Sequence, residues 1–230
     1  DADQQLTIPQ TALQSYNQLA WFDGAADYAD IAHHADFDFE LAANQTFSLS
    51  AWIFWNGAED TNMPIISKYG NTTSNGRKWQ FRLVSQRLHM LVYDENQDGY
   101  MGGKYNTDLT AGKWHHVVAT VTTGTTSSSI KLYINGESMT ITNSSSGSFA
   151  EITADGADHK VYIGWDGMSS GARYFEGCIT EASIWDKTLT SSEVEELYND
   201  GLALDATTHS ASSDLLGYWR NNGLETLSNL

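Results

Sequence analysis

Residues 47–55 read Phe-Ser-Leu-Ser-Ala-Trp-Ile-Phe-Trp. The first half alternates apolar with small polar side chains and the second half is apolar throughout, the pattern of a strand half-buried at one end and covered on both faces at the other. Working outward, runs of the same kind fall at 64–69, 78–84, 88–93, 114–121, 129–134, 160–165 and 178–185. The turn pairs Asn75-Gly76, Asp98-Gly99, Ala111-Gly112, Asn135-Gly136 and Asp166-Gly167 punctuate them. Many short strands at regular spacing predict an all-β fold, two antiparallel sheets packed as a sandwich. One segment departs from period two. Thr190 and Glu193 stand at capping-box spacing, apolar residues follow at 194, 197 and 198, and Gly201 comes after them. These features predict one short helix near 191–199 that ends at the glycine.

A chain of 230 residues suits a single sandwich with one large core. Asp and Glu outnumber Lys and Arg 29 to 12, giving a formal charge of −17, and that field repels phosphate backbones and anionic lipid. Nucleic acid is therefore not expected as a partner. No run approaches the roughly 18 apolar residues of a membrane-spanning helix, so no membrane insertion is expected either. The lone cysteine, Cys178, allows no internal disulfide and lies in an apolar stretch, where a thiol behaves as a small buried hydrophobe. Loops rich in Asn, Ser, Thr, Gly and Asp with little lysine lead us to expect a secreted or cell-surface protein.

Six blocks occur in one order along the chain: FDGAADYADI at 22–31, FSLSAWIFW at 47–55, AGKWHHVVATV at 111–121, IKLYINGE at 130–137, VYIGW at 161–165 and FEGCITEASIWDKTLTSSEVEELY at 175–198. Together they resemble the concanavalin A-like, laminin G-like and pentraxin-like family of jelly-roll domains. The resemblance implies a jelly roll over residues 1–204. Residues 205–230 would form a linker-like turn and a C-terminal strand, either packed on the same domain or leading into a next module. The closing LGYWRNNG at 216–223 is similar to the phrase that opens the next copy in tandem arrays, which implies other modules of the same polypeptide as partners. By function, the resemblance implies an extracellular, lectin-like carbohydrate-binding module, calcium-assisted, within a larger secreted or surface protein, with a glycan or glycoprotein as partner. A structural spacer in an adhesin-like array is the first alternative, and a glycan-active lyase or hydrolase the second.

Glycoside hydrolysis needs two carboxyl groups flanking the scissile bond. Jelly-roll glucanases supply them from one strand in a Glu-x-Asp-x-(x)-Glu pattern, and no strand here has it. The chain is accordingly expected not to be an enzyme, although a lyase working with Tyr and His needs no local spacing.

Unbroken alternation of strands would put loops 56–62 and 165–174 at the same end of the sandwich, with loop 94–99 at the other. Asp60, Asn62 and Asp166 would then meet as oxygen ligands for Ca2+. Their places resemble the calcium positions of pentraxins, except that Thr61 separates Asp60 from Asn62. Asp94, Asn96 and Asp98 repeat the first half of an EF-hand loop, but position 12 is Tyr105 rather than Glu, so a polar hairpin turn is an equal reading. For ligand contact, Trp165, Tyr174 and Arg173 beside Asp166 offer flat rings and polar neighbours. Trp79, Tyr93 and Tyr100 form a rival cluster. The net charge leads us to expect a neutral or weakly charged glycan.

Overall fold

The computed structural model describes residues 21–39, 46–57, 62–70, 76–153, 159–168, 171 and 173–220. Two antiparallel sheets of seven strands each pack face to face. The first sheet joins β1 (Trp21–Asp23), β13 (Glu176–Trp185), β3 (Phe47–Trp55), β8 (Trp114–Val121), β9 (Ile130–Ile134) and β10 (Glu137–Met139) in that order, and β14 (Leu215–Trp219) pairs a further stretch of β13. The second runs β11 (Ile141–Asn143), β7 (Gly99–Tyr105), β6 (Arg87–Asp94), β5 (Arg77–Val84), β4 (Met63–Tyr69), β12 (Val161–Ile163) and β2 (Ala29–Ile31).

Every run read from the sequence is a strand, and alternation decides which residues enter the core. On β5, Trp79, Phe81 and Leu83 are fully buried between the sheets, which sends Gln80 and Arg82 to the outer face. Strand β4 carries a register shift between Pro64 and Ile66, so Ile65 and Ile66 both lie in the core.

β7 is a strand that the pattern hides, because Gly99, Gly102 and Gly103 dilute its period. The glycines are there for clearance. After β10 the chain leaves the first sheet, and β11 adds to the second. The segment following it runs against β7. A Cβ at Gly102 would stand 2.6 Å from Ser144 Oγ, one at Gly103 would stand 2.6 Å from Ile141 Cδ1, and one at Gly99 would fall on the Ser148 carbonyl.

The outer face of the first sheet is covered. Helix α1 (Ser191–Tyr198) and the turns after it bury Val118, Tyr133, Trp185, Leu189, Val194, Leu197, Ala206, Ala211 and Tyr218 in a second apolar cluster. The capping box forms as expected: Thr190 Oγ1 accepts from Glu193 N at 3.3 Å and the Glu193 carboxylate accepts from Thr190 N at 2.7 Å. Asn199, at φ 47°, is the left-handed residue that ends the helix, two positions before the glycine expected in that role. Residues 205–214 contribute Ala206, Ala211 and the buried His209 to this cover.

Under the cover lies His116, its Nε2 2.9 Å from Ser50 Oγ and its ring 5.3 Å from that of Trp52. Burial pulls its imidazole down to about 3, and His89 on β6 is pulled down to about 3 in the same way, with Arg82 and Lys104 adding to the effect. In the unfolded chain both rings take a proton near pH 6.5, so between that pH and 3 the unfolded state binds the extra protons. Stability is full above 6.5 and falls as the solution is acidified, by about 1.4 kcal/mol per pH unit for each histidine. Urea midpoints measured between pH 7 and 4 are expected to fall as the pH is lowered, and less steeply in His116→Gln; a flat profile would contradict the buried neutral imidazoles.

Candidate functional site

No apolar cluster forms on the outer face of the second sheet among the described residues; it carries a polar strip instead. Asp166, fully buried, accepts from Arg173 Nη1 at 3.1 Å and from the Met168 amide at 3.0 Å. Burial raises its carboxyl above the ordinary range against the pull of those two donors. With its amide oxygen turned to the guanidinium groups, Asn62 accepts from Arg173 Nε at 3.3 Å and from Arg82 Nη1 at 2.7 Å. Arg82 Nη1 also donates to Gln80 Oε1 at 2.6 Å, and its Nε donates to His89 Nδ1 at 3.1 Å. A histidine that accepts at Nδ1 while neutral carries its proton on Nε2, which lies 2.7 Å from Ser144 Oγ. The strip thus crosses the sheet from the 166–173 loop to the chain beyond β11.

Aromatic rings flank it on both sides. Tyr93 lies between Tyr69 at 5.4 Å and Tyr100 at 5.1 Å, with the Arg77 guanidinium 4.5 Å over its ring. On the other side Trp165 packs against Tyr28 at 4.5 Å, Tyr162 at 4.7 Å and Tyr174 at 6.0 Å, the last almost parallel at 7°. Tyr28 is 44% exposed. Tyr162 belongs to this outer group because Val161 and Ile163 take the inward positions of β12.

The base of loop 165–174 lies at the end expected from strand alternation, since Gly164 N bonds Ile65 O and Gly177 stands opposite Trp55. Residues 165–167 lie across the sheet rather than standing at the rim. Trp165 O accepts from Ser67 Oγ at 2.6 Å, and Gly167, at φ 78°, sits so close that a Cβ would be 2.6 Å from the Tyr162 ring and would fall on the Tyr69 carbonyl. Glycine after Asp166 is what permits this turn.

Of the expected calcium ligands, Asp60 lies outside the described residues. Asn62 and Asp166 do come together, but through Arg173, whose guanidinium lies where a cation would be held. Among the described residues this donor set holds a guanidinium. Among the described residues, no group of three or more His, Cys, Asp or Glu side chains is placed to hold a metal.

The EF-hand-like stretch is occupied by the chain's own donors. Asp94 is buried and accepts from Gln97 N, Ala150 N, Glu151 N and Thr153 Oγ1 at 2.9–3.3 Å. The exposed Asn96 gives its amide to Thr153 Oγ1, and Asp98, left-handed at φ 45°, pairs with Arg77 at 3.0 Å. Asp94 therefore fastens segment 150–153 to the β6–β7 turn. Asp94→Ala is expected to cost about 2–3 kcal/mol, since several buried donors lose a charged acceptor. The loss should be the same in calcium and in excess chelator when melting curves are compared; a loss confined to the calcium-loaded protein would restore the metal reading.

In the rival aromatic cluster Trp79 is a core residue, fully buried, with Nε1 donating to Phe37 O at 3.0 Å; Tyr93 and Tyr100 remain on the outer face. Gln80, Arg82 and His89 escape a reading of the sequence because alternate polar positions on a strand ordinarily mean a solvated face.

Compared with known proteins, residues 23–195 match the family model described as the concanavalin A-like lectin/glucanases superfamily. The chain belongs to that superfamily. A search of curated proteins finds no match. Among solved structures similar to this member of the superfamily is a protein of Bacteroides ovatus ATCC 8483 assigned to carbohydrate binding, with 17% identity and a TM-score of 0.59 over 92% of this chain. This chain spans 56% of that protein's length. A heptameric SAP-like pentraxin from Limulus polyphemus aligns at 16% identity and TM-score 0.50 over 77% of this chain and 80% of its own. Botulinum neurotoxin type C, described as interacting with two ganglioside molecules, aligns at 17% identity and TM-score 0.53 over 80% of this chain and 44% of the toxin. At these identities the likeness is one of fold.

Proposed function

We propose that the chain is a lectin-like module of a larger secreted or surface protein, and that it holds a glycan on the outer face of the second sheet. The observation that carries the reading is the placement of two aromatic groups on either side of a hydrogen-bonding strip, on the sheet face that no helix covers among the described residues. Flat rings stack on pyranose faces while fixed polar groups set orientation. Membership of a superfamily named for lectins, and similarity to a structure assigned to carbohydrate binding, support it.

A non-enzymatic role is part of the proposal. The outward positions of β5, β6 and β7 carry Arg, Gln, Val, His, Leu, Tyr, Gly and Lys but neither Asp nor Glu, so the strip itself offers no carboxylate pair for hydrolysis. Calcium is not part of the proposal, because Arg173 already serves Asn62 and Asp166.

Screening the protein against an array of glycans is expected to give binding above background without release of reducing or unsaturated ends. Tyr28→Ala removes a half-exposed ring, and it should weaken binding about tenfold, since one aromatic contact contributes on the order of 1 kcal/mol beyond its area. The melting temperature should stay within a degree or two. An array with no hits would favour the spacer, and product release would favour the enzyme.

A further inference from the structure

The chain has five arginines, and four have a carboxylate partner: Arg77 with Glu95 and Asp98, Arg87 with Asp108, Arg173 with Asp166 and Arg220 with Asp205. Arg82 has none among the described residues, although acids outnumber bases 29 to 12. Its partners are all neutral: Gln80, His89 and Asn62. These occupy Nε and Nη1 and leave Nη2 without a hydrogen bond to the described residues. Gln80 beside it is fully buried, and its Nε2 has no acceptor. In the middle of the strip, then, a guanidinium without a carboxylate partner among the described residues stands beside an enclosed amide nitrogen without an acceptor. Lys104, across β6 from Arg82 and opposite His89, likewise has no ion-pair partner among the described residues.

An unsatisfied buried donor costs free energy, and an uncompensated buried cation costs more. The strain on Arg82 registers as a guanidinium pulled down to about 10 by burial. A bound anion would relieve the guanidinium. The acidic surface does not forbid this, because its field is screened within about 8 Å at physiological salt while a partly buried cation is screened far less.

We propose that the strip recognises the carboxylate of an acidic sugar, a uronic acid unit, with Arg82 donating to it through Nη2 and Tyr93 and Tyr100 beside the ring. A carboxylate is the acceptor a guanidinium binds most strongly, and Nη2 is the nitrogen left for it. His89, held neutral and donating to Ser144, fixes the guanidinium by accepting at Nδ1. The inference rests on the glycan-binding reading and replaces the expectation of a neutral ligand.

The test is calorimetric titration of the whole chain with hexamers of galacturonate, mannuronate and guluronate, with the same hexamers after reduction of their carboxyls, and with a sulfated galactan hexamer lacking carboxylates. At least one uronate hexamer should bind, and its reduced form and the sulfated hexamer should each bind at least tenfold more weakly. Gln80→Glu, nearly isosteric, gives Arg82 a carboxylate of its own and should weaken uronate binding at least tenfold without lowering the melting temperature. Arg82→Lys should weaken it as well, by losing the fixed guanidinium geometry while keeping the charge.

Equal binding of the reduced hexamer, tighter binding of the sulfated one, or unchanged affinity in Gln80→Glu would each overturn the carboxylate assignment while leaving glycan binding intact. Neutral glycans binding where no uronate does would have the same meaning. If no sugar binds, charged or neutral, both readings fall.

Discussion

The alternation of β5 is the constraint on which the rest of the second sheet depends. Trp79, Phe81 and Leu83 fill the space between the sheets, so the intervening residues have no choice of side. Gln80 and Arg82 are delivered to the outer face as a consequence of packing, and neighbouring strands add His89, Tyr93 and Tyr100 in register. A one-residue slip would exchange the two sets and bury a guanidinium in the core. The hydrophobic demand of the inner face therefore fixes the geometry of the outer one.

The two outer faces of the sandwich have been resolved in opposite ways. On the first sheet, Val118, Tyr133 and Trp185 point outward and are dried by α1 and the turns that follow it. On the second, most outward residues are polar or aromatic, and hydrogen bonds run among them over distances of 2.6 to 3.3 Å. Polar groups held in such a network are pre-oriented, which lowers the ordering cost of whatever binds them. The glycine at position 167 lets the loop lie down on this face, bringing Asp166 and Arg173 to the edge of the strip.

Much of this was legible in the sequence, for reasons that are physical. The long strands declare themselves because one face of each must be apolar, and α1 because its capping box sits at a fixed spacing. β7 is obscured by glycines whose purpose, clearance for the chain beyond Ile141, lies in a contact about 40 residues away. The nearness of Asn62, Arg173 and Asp166 followed from counting strands. That an arginine rather than a metal would join them did not, since ion pairing depends on side-chain reach and not on sequence position. The Asp94 stretch shows the converse. Its spacing suits an ion, but the amides at 150 and 151 reach the buried carboxylate first.

The pairing of β1 with β13 sets residues 21–23 against residues 176–178. Between them, β3 joins β8 and β13 and so lies at the middle of the first sheet, with its two neighbours supplied by segments far downstream. Pairings of such long range carry loop-closure entropy that must be met before any contact rewards it, so domains of this topology fold in milliseconds to seconds rather than microseconds. During synthesis the first strands must wait until residues 176–185 have left the ribosome. Until β13 arrives, the apolar side of β3 has no partner on one flank, and the nascent domain is at its most vulnerable to pairing with another copy of itself.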